Sequence, residues 1–203
     1  MDYLEKIEDL AKFIDDEWNR LDVKYELNDV TFEICGDTYF AYRMAHELEL
    51  VEDISFNNFD DMMAEIERES QYNILCRMYP QCTFDGEILI HMSYRVLMSR
   101  GSIVNEAMNR GFQMHELKKL YQTVLLHEVG HILHYRKICV IGETTEEAID
   151  RLEHLHRCGY LRFEKWKKDN PDRSKEKHAK RYYSIKSERE ANKLVGLTWK
   201  DFM

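Results

Sequence analysis

The stretch Leu125-Leu126-His127-Glu128-Val129-Gly130-His131-Ile132-Leu133-His134 decides how the rest of the chain is read. It contains His-Glu-x-x-His with apolar neighbours and no proline, so it predicts a helix. At about 100° per residue, His127 and His131 lie about 40° apart on one face, and both imidazoles reach a single tetrahedral ion. Glu128 points to the side of that pair, near enough to act on a water held there without being a ligand. Leu125, Val129, Ile132 and Leu133 gather on the opposite face, which faces a core, and Gly130 would admit a closely packed neighbour.

With 9 His and 23 Glu in 203 residues, a shuffled chain of this composition would show the pattern about 0.05 times. His46-Glu47 and His115-Glu116 serve as internal controls, since Leu50 and Lys119 stand where the second histidine would have to be. A site of this kind needs a third protein ligand. Ser187-Glu188-Arg189-Glu190-Ala191-Asn192 offers Glu188, with Asn192 four residues later on the same helical face, placed to hydrogen-bond a ligating histidine.

Together, His127–His134 and Glu188-Arg189-Glu190-Ala191-Asn192 resemble the ImmA/IrrE family of zinc metallopeptidases, gluzincin-like proteins often encoded by phages, integrative elements and stress-response loci. The resemblance runs over about residues 85–200. It implies an α+β, mostly helical fold: a zincin-like metallopeptidase core with a small β-sheet and the His-Glu-x-x-His active-site helix. It also implies Zn2+ as cofactor, His127, His131 and Glu188 as metal ligands, and Glu128 as the catalytic general base. The implied activity is cleavage of a protein substrate such as a helix-turn-helix transcriptional repressor. In that scheme zinc acidifies its water and polarises the scissile carbonyl, while Glu128 takes the water's proton and delivers it to the leaving amine. Tyr182, Tyr183 and His178 are candidates for a further donor to the oxyanion.

The spacing departs from the family pattern. Fifty-six residues separate His131 from Glu188, so the Thr144–Lys167 helix and the loop after it read as an insertion. Glu146 and Asp150 repeat the Glu-x-x-x-acid spacing nearer the histidines, which keeps Glu146 open as a third ligand, with Glu153 and His154 further alternatives. His134 lies about 20° from His127 and is expected to support the site or line a substrate cleft. His154, His156 and Cys158 alternate by two, which scatters them around a helix and speaks against a second metal site.

Further out, composition sets the frame. Apolar residues make up 44% and aromatics 12%, which argues against disorder, and no apolar run approaches the roughly 20 residues of a membrane span. Met-Asp-Tyr-Leu-Glu-Lys at the start lacks the form of a secretory signal, so a cytoplasmic protein is expected. Five cysteines without a Cys-x-x-Cys pair suit reduced thiols. Two prolines and eight glycines leave few breaks, so long helices should dominate.

Helices are expected over Tyr3–Leu21, Phe59–Tyr79, Ile103–Arg110, His115–Arg136, Thr144–Lys167 and Ser184–Trp199. A strand or hairpin is expected within Val23–Tyr42, a strand within Gly86–Met98 whose Ile88–Tyr94 part could supply an edge that pairs with an extended substrate, and an exposed loop over Lys168–Lys180.

Charge is unevenly spread beneath the net −9: residues 1–70 hold 21 acids against 6 bases, 71–159 hold 10 of each, and 160–203 hold 7 against 13. The chain therefore divides, in this reading, into an acidic N-terminal extension or subdomain over 1–80 and a metallopeptidase core over 81–203 with an insertion around 140–182. The acidic front suits a basic partner or docking within the molecule, and the overall charge disfavours direct nucleic-acid binding. Two other classes stand beside the peptidase. One is a zinc-binding regulatory protein with little proteolysis that holds a basic partner through its acidic region; the other is a metal-free helical protein.

Overall fold

The computed structural model describes residues 3–35, 76–85, 88–99, 113–138, 143 and 145–203. In chain order the elements are α1 (Tyr3–Tyr25), β1 (Val30–Cys35), β2 (Cys76–Asp85), β3 (Ile88–Ser99), α2 (Met114–Ile138), α3 (Thr145–Asp169), α4 (Lys175–Tyr182) and α5 (Lys186–Val195), followed by a 3-10 helix over Trp199–Phe202. Helix predominates among the described residues and a three-stranded sheet accompanies it. No helix among them is long and apolar enough to cross a membrane.

α2 carries Leu117, Tyr121, Leu125, Val129 and Ile132 at helical spacing, and all are buried. α1 turns Leu10, Ile14, Trp18 and Leu21 into the same core, which Val96 and Met98 of β3 close from the sheet side. Each such side chain contributes about 1.5–3 kcal/mol by leaving water. Trp18 stacks on Phe32 of β1 with ring centroids 4.6 Å apart. Polar groups pin the same interface: Lys118 meets Asp9 at 2.8 Å, Gln122 donates to Glu17 at 3.0 Å, and Arg136 donates to the carbonyls of Tyr25 and Glu26 and pairs with Asp29. The boundary expected at residue 80 thus runs through a shared core, and acids of the N-terminal stretch find cations on α2.

The sheet has the order β1-β3-β2, with β1 parallel and β2 antiparallel to β3. β3 is therefore the middle strand of the order. β1 lies along Tyr94–Ser99, and among the described residues Ile88–Ser93 pairs only with β2. The helix expected over Phe59–Tyr79 fails at its end, where Cys76–Tyr79 belong to β2. Pairing with β3 is a long-range constraint that local spacing does not carry, and Pro80, opposite Tyr94, is tolerated because β2 is an outer strand of this sheet. The rest of that helix, the 103–110 helix and the residues after 35 in the first strand region lie outside the described residues.

Two helix expectations near the C-terminus change. The expected loop shrinks, because Lys175–Tyr182 is helical. Ser174 caps α4 by accepting from the Lys177 N–H, and α4 packs Tyr182 on Phe163 and His178 on Trp166 of α3. The last helix stops early: Gly196 adopts a left-handed φ of 78° after Val195. A capping box between Thr198 and Asp201 then starts the 3-10 helix.

Candidate metal centre

α2 and α5 cross at Gly130. A Cβ there would stand 2.5 Å from the carbonyl oxygen of Ala191 and 3.3 Å from Val195, so only glycine permits this approach. The crossing sets Glu188 and Asn192, one turn apart on α5, against His127 and His131, one turn apart on α2. All four are buried, and Glu188 is 0% exposed.

Asn192 Oδ1 accepts a hydrogen bond from His127 Nδ1 at 2.8 Å, which leaves Nε2 of that ring with a bare lone pair. That nitrogen lies 3.1 Å from His131 Nε2 and 3.1 Å from Glu188 Oε2, and His131 Nε2 lies 3.6 Å from Glu188 Oε1. Neither oxygen of Glu188 has a hydrogen bond, nor does His131 Nδ1. Buried carboxylate oxygens without donors normally cost stability, and the two oxygens of Glu188, set against the Nε2 atoms of both histidines, suit a cation between them. Donors about 2.0–2.1 Å from a tetrahedral zinc stand about 3.3 Å from one another, which the observed separations match. A buried group of His127, His131 and Glu188 can therefore hold a metal ion.

The electrostatics agree. Burial alone would raise the carboxyl pKa of Glu188, yet the surrounding imidazoles, His131 foremost, hold it well below the usual carboxylate range. Burial alone would lower His127, but the Glu188 carboxylate beside it leaves that imidazole raised.

Glu128 is buried next to His127, close enough for its charge to act on the His127 and Tyr183 side chains. Of the expected oxyanion donors, Tyr183 reaches the site: its ring meets His127 edge to face at 5.9 Å. Tyr182 packs on Phe163 and on Tyr183, with the charges of Glu188 and Glu128 acting on its buried phenol, while His178 faces Trp166 and the Asn170 carbonyl. Burial, then the charges of Glu188 and Glu128, push the Tyr183 phenol well above its ordinary pKa and keep it a proton donor. Phe202 stacks on Tyr183 at 4.2 Å and also meets His127 at 5.3 Å, so the 3-10 helix walls the site with aromatic surface that the sequence reading missed. Its signal was the pair of aromatics in the Trp199-Lys200-Asp201-Phe202 run, too short to show a period.

His134 lies one turn beyond His131, buried, with Nδ1 lacking a hydrogen-bond partner, and it is outside the group of three. Burial and the neighbouring His131 push its pKa down. His154 is exposed and pairs with Cys158 on its own helix. The side chains of Glu146 and Glu153 lie outside those described. The sequence reading also missed His156 of α3, which lies 3.4 Å from Glu188 Oε1 and 3.3 Å from Ser187 Oγ. Its sign was the alternation of His154, His156 and Cys158, which on one helix must send one of the three to the opposite face.

Comparison of the chain with protein-family models, with curated proteins and with solved structures finds no match.

Proposed function

We propose that the protein is a zinc-dependent endopeptidase of the zincin type, with His127, His131 and Glu188 as ligands and Glu128 as general base. The observation that supports this reading is the position of Glu128, a buried carboxylate beside the metal group but outside it. A purely structural site, closed by its ligands, has no use for such a residue. When bound, zinc supplies Lewis acidity toward water and carbonyl groups.

The chain's own residues supply the rest. Asn192 fixes the ring orientation and tautomer of His127. Glu128 accepts a proton from the attacking water and passes it to the leaving amine. Tyr183, held in its protonated form, donates to the oxygen on which negative charge develops. Tyr183 and Phe202 exclude water from the His127 side. The substrate proposed is a DNA-binding repressor: a protein of net charge −9 is drawn to a basic partner.

The test compares the wild type with Glu128→Gln, measuring zinc per chain and cleavage of helix-turn-helix repressors co-expressed from neighbouring genes. Zinc in both proteins with cleavage slowed about 10²–10⁴-fold in the variant is expected. Zinc in both without cleavage by either supports a regulatory binding protein instead, and absence of stoichiometric metal overturns the metal assignment.

A further inference from the structure

α3 comes from the stretch that separates the two motifs, and it is nonetheless built into the metal centre. His154 and Cys158 share one face of it, with Cys158 Sγ 3.5 Å from His154 Nε2. His156 lies half a turn round and is directed at α5. The seat is close: a Cβ on Gly159 would fall 2.3 Å from Ile185 Cγ2, so α3 rests on the residue that opens α5. His156 Nδ1 stands 3.3 Å from Ser187 Oγ and 3.4 Å from Glu188 Oε1, a few tenths of an ångström beyond ordinary hydrogen-bond contact.

The two oxygens of Glu188 are thereby divided. Oε2 faces His127 at 3.1 Å, while Oε1 lies between His131 at 3.6 Å and His156 at 3.4 Å. A carboxylate with both oxygens free can bind a metal through one or both, and binding through both takes up a coordination position. We propose that His156 is a positioning residue of the centre: its Nδ1–H closes onto Glu188 Oε1 and leaves Oε2 as the oxygen that meets the metal. The position so spared is the one a water and a carbonyl must share. Side chains next to a ligand act on affinity in the same way when they orient it. This inference rests on the metal reading above and adds a residue to it from outside both motifs.

The test loads the full chain with Co2+ and reads visible absorption, whose intensity falls as coordination number rises, together with metal affinity by chelator competition. The proteins are the wild type, His156→Ala, His156→Asn, which keeps an N–H donor near the Nδ1 position, and His154→Ala. His156→Ala is expected to bind metal about 10–100-fold more weakly and to show a weaker band. His156→Asn should recover both, and His154→Ala should match the wild type. A wild-type band and affinity in His156→Ala, or an Asn variant no better than Ala, overturns the proposal. Should His156→Ala not fold, His156→Phe keeps the ring's bulk beside Tyr160 without the donor and takes its place under the same criteria. A wild type that binds neither Co2+ nor Zn2+ defeats the metal reading itself, an outcome distinct from an intact centre indifferent to residue 156.

Discussion

His127 spends one nitrogen on Asn192 and turns the other toward a carboxylate and a second imidazole, so its charge state controls the centre. In the metal-free protein the carboxylate of Glu188 and the imidazolium of His127 stabilise each other. The lowered pKa of Glu188 gives a contribution present above its ordinary 4.5 and lost as pH falls through the folded value. The raised pKa of His127 gives one that is full below 6.5 and lost as pH rises through the folded value. We therefore expect the Tm of metal-free protein to fall as pH rises above 6.5, and Glu188→Gln to flatten that fall, as thermal melts between pH 5 and 9 would register. Metal binding has the opposite sign, because its ligands must be deprotonated, so stabilisation by added Zn2+ should grow over the same interval. Glu188→Ala should lose bound metal in elemental analysis, and Glu146→Ala should retain it.

Between elements, the contact that matters is the crossing of α2 and α5. Gly130→Ala gains helix propensity but drives a Cβ into the Ala191 carbonyl, which is backbone and cannot swing aside. A net loss of about 1–2 kcal/mol is expected in denaturant unfolding, together with weaker metal binding because Glu188 and Asn192 ride on the displaced helix. Gly159→Ala meets only the Ile185 side chain, which can rotate, so metal affinity should survive it. Elements with a sustained apolar stripe were legible from sequence: α1, α2 and α3 stand within a few residues of their expected bounds. α4 was not, since its eight mostly polar residues show no stripe and depend on Ser174 and on packing against α3. The C-terminal part was misread because apolar residues continue past Gly196, and only the backbone reversal there ends the helix.

Across the whole molecule, the acidic front is structural where it is described. Leu10 and Ile14 are each 1% exposed beneath Tyr121 and Leu125, so Ile14→Ala should cost about 2–5 kcal/mol in equilibrium unfolding. Deleting residues 1–25 should abolish metal binding along with folding, as circular dichroism and metal analysis of the truncated chain would show. A detachable recognition arm would leave both intact.

Sequence by itself determined the paired histidines, the sideways placement of Glu128 and the apolar back of their helix. These are consequences of a 3.6-residue period over ten residues, which any helix there must express. Sequence also named Glu188 and Asn192, with Glu146 left open beside Glu188; their approach to that pair, the aromatic wall of Tyr183 and Phe202, and the arrival of His156 were decided by tertiary structure. Each depends on how closely two helices approach across many residues of chain, and that distance is set by packing at Gly130 and Gly159, which local periodicity does not encode.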